Sequence, residues 1–366
     1  MCNIKRFILL KIYFMKIFVT RQIPDRGVNL LKSEGYEMVV SPHDRVLKKE
    51  ELIDYLKKDK YDAVLCLLTD KIDADILDVA KAQGVKIFAN VAVGFDNIDV
   101  KAAAERSILI TNTPGVLTET VAEHTFALML AIAHRIAESD RFTRAGKYHG
   151  WEPMMFLGTD VSKKILGIVG LGRIGSLVAH HGVKGFGMQV IYYDVKRSEE
   201  FEKEFSSPVI LSDSEGSRGD SSALTTPQND VPIVRYRANV DDVFKEADFI
   251  SIHVPLLATT RHLVDARHLA LMKHTAYLIN TSRGPIVDEK ALVEALKKGT
   301  IKGAALDVFE NEPALAPGLA ELENVILTPH TASATEETRQ AMGELAAKNI
   351  IEALEGRIPP NLVKIS

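Results

Sequence analysis

Cysteine is nearly missing from this 366-residue chain: it has two, Cys2 and Cys66, too few for a disulfide framework. Cys66 lies in an apolar run and reads as a small buried hydrophobe, and a reducing, cytoplasmic setting is expected. No cluster of basic residues interleaves with aromatics, and with a formal net charge of −4 no nucleic-acid partner is expected. Long hydrophobic runs are missing too. The stretch Thr125 to Ala133 is too short to cross a bilayer and reads as a buried helix, so no membrane partner is expected. Lys5 and Arg6 precede Phe7-Ile8-Leu9-Leu10 as in a signal peptide, but Lys11 interrupts the run and no small-residue cleavage site follows. Residues 1–14 are therefore expected to be a dispensable extension. Nor do the histidines form a metal set: His180 and His181 are adjacent, His124 and His134 are ten apart, and neither pair has a third ligand.

What is present begins with Gly170-Leu171-Gly172-Arg173-Ile174-Gly175. Lys164 to Val169 before it reads as a short buried parallel strand, and Ser176 to Gly185 after it reads as a helix. Gly170 permits the tight turn, Gly172 lets backbone approach a pyrophosphate, and Gly175 lets the helix pack on the strand, with phosphate at the helix N-terminus. A second strand, Gln189 to Tyr193, ends at Asp194, placed to accept hydrogen bonds from an adenosine ribose. That carboxylate repels a 2′-phosphate and points to NAD. Lys196 and Arg197 could offset the repulsion, which leaves NADP as the alternative.

The length suggests two domains. Short apolar strands alternate with amphipathic helices from Met15 to about Thr113, with strands expected at Ile17–Thr20, Glu37–Val40, Ala63–Leu68, Val85–Ala89 and Leu109–Thr111. A long helical pattern from about Thr118 to Ala145 leads into the glycine-rich unit, where the alternation resumes until Thr328. A final helix, about Glu336 to Glu355, has no strands after it and must pack on something already made. The expected fold is α/β, with two Rossmann-like doubly wound parallel-sheet domains. The substrate domain spans 15–113 plus 334–366, and the dinucleotide domain, 114–333, is inserted into it, with a cleft between them. Residues 206–232, rich in Ser, Asp, Gly and Thr, are expected to form a low-complexity surface loop, or else an interaction segment.

Three polar signals lie where strands give way to loops: Asn280-Thr281-Ser282-Arg283-Gly284, Asp307-Val308-Phe309-Glu310-Asn311-Glu312-Pro313, and Thr328-Pro329-His330-Thr331. In an open parallel sheet such positions face a ligand. Arg283 suits a carboxylate, although alone it could equally cap a surface loop. The acids could be solvated charges and the histidine structural; together they form an acid–base apparatus beside a carboxylate clamp.

From Met15 to about Pro360, leaving out the low-complexity loop, the sequence resembles the D-isomer-specific 2-hydroxyacid dehydrogenases, and within them the glyoxylate and hydroxypyruvate reductases. The resemblance implies a flavodoxin-like substrate domain and catalytic roles for Arg283, Glu312 and His330. His330 would give a proton to the nascent alkoxide, Glu312 would orient the imidazole and stabilise its protonated form, and Arg283 would hold the substrate carboxylate. The resemblance also implies that backbone N–H groups of Val93 and Gly94 meet the carboxylate and that Asp307 lies near the nicotinamide, with Thr281, Ser282, Thr331, Ala332 and Ser333 flanking it. Leu68 would face the substrate; leucine and threonine at 67–69 offer no phosphate clamp, so small unphosphorylated 2-oxo acids are expected. With few residues after the closing helix, the regulatory domain of many phosphoglycerate enzymes is not expected. Trp151 would reach into the partner's active site in a homodimer; its plainer reading is a core aromatic. The expected activity is NADH-dependent reduction of glyoxylate to glycolate and hydroxypyruvate to D-glycerate. A D-lactate or bulkier D-2-hydroxyacid dehydrogenase is the enzymatic alternative, and an NAD-sensing corepressor-like scaffold the non-enzymatic one.

Overall fold

The computed structural model describes residues 15–205 and 233–364, so the expected extension (1–14) and low-complexity loop (206–232) lie outside the described residues. The chain divides into two compact units, one running to Thr120 and resuming at Ser333, the other Val121–Ala332. Among the described residues no helix is long and apolar enough to cross a membrane.

In the first unit, β1 (Lys16–Val19), β2 (Glu37–Val40), β3 (Ala63–Leu67), β4 (Ile87–Val91) and β5 (Leu109–Thr111) form a parallel sheet in the order β2-β1-β3-β4-β5. The order reverses between β1 and β3, which puts a ligand crevice at their carboxyl ends. The residues Ile17, Phe18 and Val19 of β1 and Ala63 to Cys66 of β3 are fully buried, as strands covered on both faces require. Around them lie α1 (Asp25–Ser33), α2 (Lys49–Lys58), α3 (Ala74–Gln83) and α4 (Val100–Glu105). The final helix, Glu336–Leu354, belongs to this unit and packs on α1. Glycine makes that crossing feasible: a Cβ on Gly27 would stand 2.4 Å from the carbonyl oxygen of Gly343.

β4 begins two residues later than expected from its apolar run. Gly84 adopts φ 95° and Val85 donates its N–H to Ala80 O at 3.0 Å, so Val85 closes α3 instead of opening the strand.

In the second unit, β6 (Ile165–Val169), β7 (Gln189–Tyr193), β8 (Val234–Tyr236), β9 (Phe249–Ile252), β10 (Tyr277–Asn280), β11 (Gly303–Leu306) and β12 (Val325–Leu327) form a parallel sheet ordered β12-β11-β10-β9-β6-β7-β8. The chain winds outward from β6 to β8, then crosses to β9 and winds the other way. The switch point thus lies between β6 and β9. Val169, Ile252, Asn280, Leu306 and Leu327 are successive register partners across the sheet, and Tyr193 partners Val169. The carboxyl ends of these strands are therefore level, and their loops leave along one edge.

The long helix expected over 118–145 is two, α5 (Thr118–Ala133) and α6 (Ile136–Arg144). Arg135 takes φ 55°, and the carbonyl of Ala133 accepts the N–H of Thr159 at 2.9 Å instead of continuing the helix. Gly158 allows that approach, since a Cβ there would stand 2.5 Å from the same carbonyl oxygen. No proline or glycine marks the break within the helical sequence, which is why its pattern reads as continuous.

Candidate active site

Gly170 follows β6 with φ 98°, donates its N–H to Tyr193 O at 2.8 Å, and packs so tightly that a Cβ would meet the backbone of His253 at 2.9 Å. This contact brings the glycine loop against the exit of β9, at the switch point. α7 (Arg173–Phe186) starts three residues earlier than expected, with Gly172 as an N-cap that offers no side chain. A Cβ on Gly172 would meet nothing within 4 Å, whereas one on Gly175 would lie 2.1 Å from Gly170 O. The loop is thus closed beneath and open above, with an uncapped helix N-terminus aimed at the opening. A pyrophosphate fits that cradle in charge and shape. Asp194 adjoins it: its Oδ2 accepts the N–H of Leu171 at 2.7 Å.

Farther along the same edge the three polar loops emerge side by side. After β10, Asn280 organises the turn, accepting the Ser282 N–H at 3.0 Å and donating its amide to Arg283 O at 3.0 Å. Ser282 Oγ donates to Val254 O, tying this loop to the exit of β9, and the Arg283 guanidinium donates to Ser282 O at 2.8 Å. Thr281 is buried, its hydroxyl 3.0 Å from that of Thr125 on α5. Gly284 has a steric reason: a Cβ would fall 1.9 Å from the carbonyl of Phe309. The loop bearing Arg283 is consequently seated directly on the loop that ends at Glu312.

Glu312 Oε1 accepts the Phe309 N–H at 3.1 Å, and Oε2 lies 3.0 Å from His330 Nδ1. Burial pushes its carboxyl up, but the hydrogen bond and charge of His330, the Phe309 N–H and the charge of Arg283 together hold it below the usual value. An ionised Glu312 fixes Nδ1 of the imidazole as a donor and leaves Nε2 as the atom for exchange with a ligand.

The His330 loop hangs on Asp307. This residue is fully buried; its Oδ1 accepts from Thr328 Oγ1 and Thr331 N, both at 2.7 Å, and its Oδ2 accepts from Ala332 N at 2.8 Å. Its backbone carbonyl accepts the His330 N–H at 2.8 Å, and His330 itself takes φ 55°. Sequence reasoning placed Asp307 beside a cofactor; the structure gives both its oxygens work within the loop. His124, considered in the sequence only as a metal ligand, completes this cluster, with Nε2 3.3 Å from Thr328 Oγ1 and 3.5 Å from Asp307 Oδ1. The signal for it was a His-Thr pair in the middle of α5, directly before the apolar run that closes the helix. Among the described residues no group of three His, Cys, Asp or Glu is placed to hold a metal ion.

The remaining expected residues fall elsewhere. Leu68, Val93 and Gly94 belong to the first unit, after β3 and β4. There Asn112 donates to Val93 O at 2.7 Å and Asn90 to Gly94 O at 3.0 Å, while Asn97 donates to the carbonyls of Leu67 and Asp70. This asparagine network, not anticipated from sequence, ties the two loops together. Ser333 opens the C-terminal part of the same unit. Trp151 is 81% exposed, so it is not a core aromatic of this chain.

Residues 126–215 and 219–332 match the NAD binding domain of the D-isomer specific 2-hydroxyacid dehydrogenases. The chain is 46% identical over 351 residues to a glyoxylate reductase of Korarchaeum cryptofilum, covering 95% of each. It superimposes with a TM-score of 0.81 on the TT0316 protein of Thermus thermophilus, 38% identical, covering 96% of this chain and 100% of that one. An NADPH-dependent glyoxylate/hydroxypyruvate reductase of Sinorhizobium meliloti, solved with NADP and malonate, gives a TM-score of 0.76 at 29% identity, covering 95% of this chain and 96% of the other. The chain belongs to the D-isomer specific 2-hydroxyacid dehydrogenase family and is an NAD-binding oxidoreductase.

Proposed function

We propose that this protein reduces small 2-oxo acids, glyoxylate and hydroxypyruvate foremost, with NADH as the donor. The observation that carries the reading is the 3.0 Å contact between Glu312 and His330 in a loop cluster seated against Arg283. The level strand ends give the site a direction. Asp194 after β7 takes the adenosine ribose and the glycine loop after β6 takes the pyrophosphate. Thr281, Ser282, Ala332 and Ser333 are assigned to the nicotinamide end, with Asp307 holding the loop there.

Bound NADH supplies the hydride. The chain supplies the rest: Arg283 grips the carboxylate of the acid and polarises its carbonyl, and His330 Nε2 gives a proton to the oxygen that becomes the hydroxyl. Glu312 stabilises the charged imidazole before transfer and keeps its orientation after. In the first unit, the N–H groups of Val93 and Gly94 are assigned to the carboxylate and Leu68 to the substituent of the acid. The uncharged run at 67–69 favours unphosphorylated substrates. The relatives named as glyoxylate reductases support this choice.

The exposed Trp151 supports a homodimer in which the tryptophan reaches the partner's active site. A large aromatic at 81% exposure needs a reason in a soluble partner-free chain, and a second copy provides one.

The test is a panel of NADH and NADPH against glyoxylate, hydroxypyruvate, pyruvate and bulkier 2-oxo acids, following loss of reduced cofactor. Turnover is expected to be fastest with NADH and the first two acids. Preference for pyruvate or a bulkier acid would replace the substrate assignment, and no turnover with any acid would overturn the reading.

A further inference from the structure

Beyond Asp194, the end of β7 carries a second device bearing on cofactor choice. Val195 is 92% exposed, and Lys196 and Arg197 follow it, in the segment that borders the adenosine end of the proposed site. An arginine here is the natural partner of a 2′-phosphate, because its planar fork matches phosphate oxygens. Yet this fork is already engaged: Arg197 Nε and Nη2 donate to Glu202 Oε1 and Oε2 at 3.0 and 2.7 Å. Glu202 is anchored in turn. The hydroxyl of Tyr192, a fully buried side chain of β7, donates to Glu202 Oε1 at 2.7 Å and accepts the Ser198 N–H at 2.9 Å. The Glu202 side chain is only 14% exposed, so the pair is held against the protein on its carboxylate side.

On the strength of the cofactor reading above, we propose that Glu202 is a positioning residue for cofactor choice, which holds Arg197 in a two-point ion pair and so withholds it from the 2′-phosphate of NADPH. Two independent terms then disfavour NADPH. Asp194 repels the phosphate, and Glu202 neutralises and orients the cation that would answer it. The arrangement reconciles a basic Lys-Arg pair, which by composition suits NADP, with a strand-end carboxylate that suits NAD.

The full-length protein is titrated with NADH and with NADPH, following fluorescence of the reduced nicotinamide, at low ionic strength and without any 2-oxo acid. Glu202→Gln keeps the size and the Tyr192 contact but removes the charge that holds Arg197. Its Kd for NADPH is expected to fall about fivefold or more, as a released arginine–phosphate contact allows, with the Kd for NADH within about twofold. The double variant Glu202→Gln/Arg197→Met should lose that gain. If the gain survives the loss of Arg197, or if Glu202→Gln leaves NADPH binding unchanged, the proposal is overturned. Equal, tight binding of both cofactors by the unsubstituted protein would sink this proposal while leaving the reductase reading in place, whereas binding of neither would contradict the cofactor site itself.

Discussion

At His330 the backbone enters the left-handed region, φ 55°, which costs a non-glycine residue about 1 kcal/mol. Asp307 offsets that cost by accepting from the backbone N–H groups of Thr331 and Ala332 and from the Thr328 hydroxyl. Burial pushes its carboxyl up, but His124, Thr328, Thr331 and Ala332 donate to it, and the net effect is a value below the ordinary one. The sign follows. A carboxyl whose folded value is depressed below its unfolded value of about 3.9 stabilises the fold above roughly pH 4, and that share is lost as pH falls through the folded value. Asp307→Asn is expected to destabilise by about 2–3 kcal/mol at neutral pH and to flatten the acid limb. Urea unfolding between about pH 3 and pH 7 checks this; an unchanged pH slope in the variant would contradict it. Glu312→Gln keeps an acceptor for Nδ1 but removes the charge, so kcat should fall about a hundredfold while NADH affinity, measured by titration, stays put.

Elements bring these residues together through steric permissions that glycine supplies. Gly284 lies where a Cβ would overlap the Phe309 backbone, so Gly284→Ala must displace the loop of either Arg283 or Glu312. Misplacement of about 1 Å can cost roughly a hundredfold in rate. The variant is expected to lose about that much in kcat/KM, and a wild-type value would refute the seating argument. Much of this was legible in the sequence. Strands are ordinarily bounded by polar turn residues, so neither Asn-Thr-Ser-Arg-Gly nor Thr-Pro-His speaks alone; what was legible was an arginine, a glutamate and a histidine at three strand ends of one parallel sheet, where a ligand is met. What escaped was decided by contacts distant in the chain. The helix break at Arg135 depends on Thr159 taking the carbonyl of Ala133, and the role of Asp307 depends on β11 and β12 lying side by side. His124 escaped because its partners are about two hundred positions away.

At the scale of the whole molecule, exposed apolar side chains are scattered among the described residues, Val195, Leu257 and Ile358 included, but four fall close together in one segment. Tyr148, Trp151, Met154 and Leu157 are all more than half exposed, and α6 just before them buries none of its residues. Such a surface is costly in water, and a second copy would cover it. Light scattering is expected to give a particle of twice the 40.4 kDa chain mass, and a monomer at micromolar concentration would contradict the homodimer. The proposed reaction turns on His330 as the proton donor in a hydride transfer whose cofactor is held elsewhere on the strand edge. The measurement that tests it most directly is the turnover of glyoxylate by His330→Gln set against its NADH affinity. kcat is expected to fall roughly a thousandfold while the NADH Kd stays within about twofold of the unsubstituted protein. Turnover that survives the substitution, or a loss shared equally by turnover and cofactor binding, would contradict it.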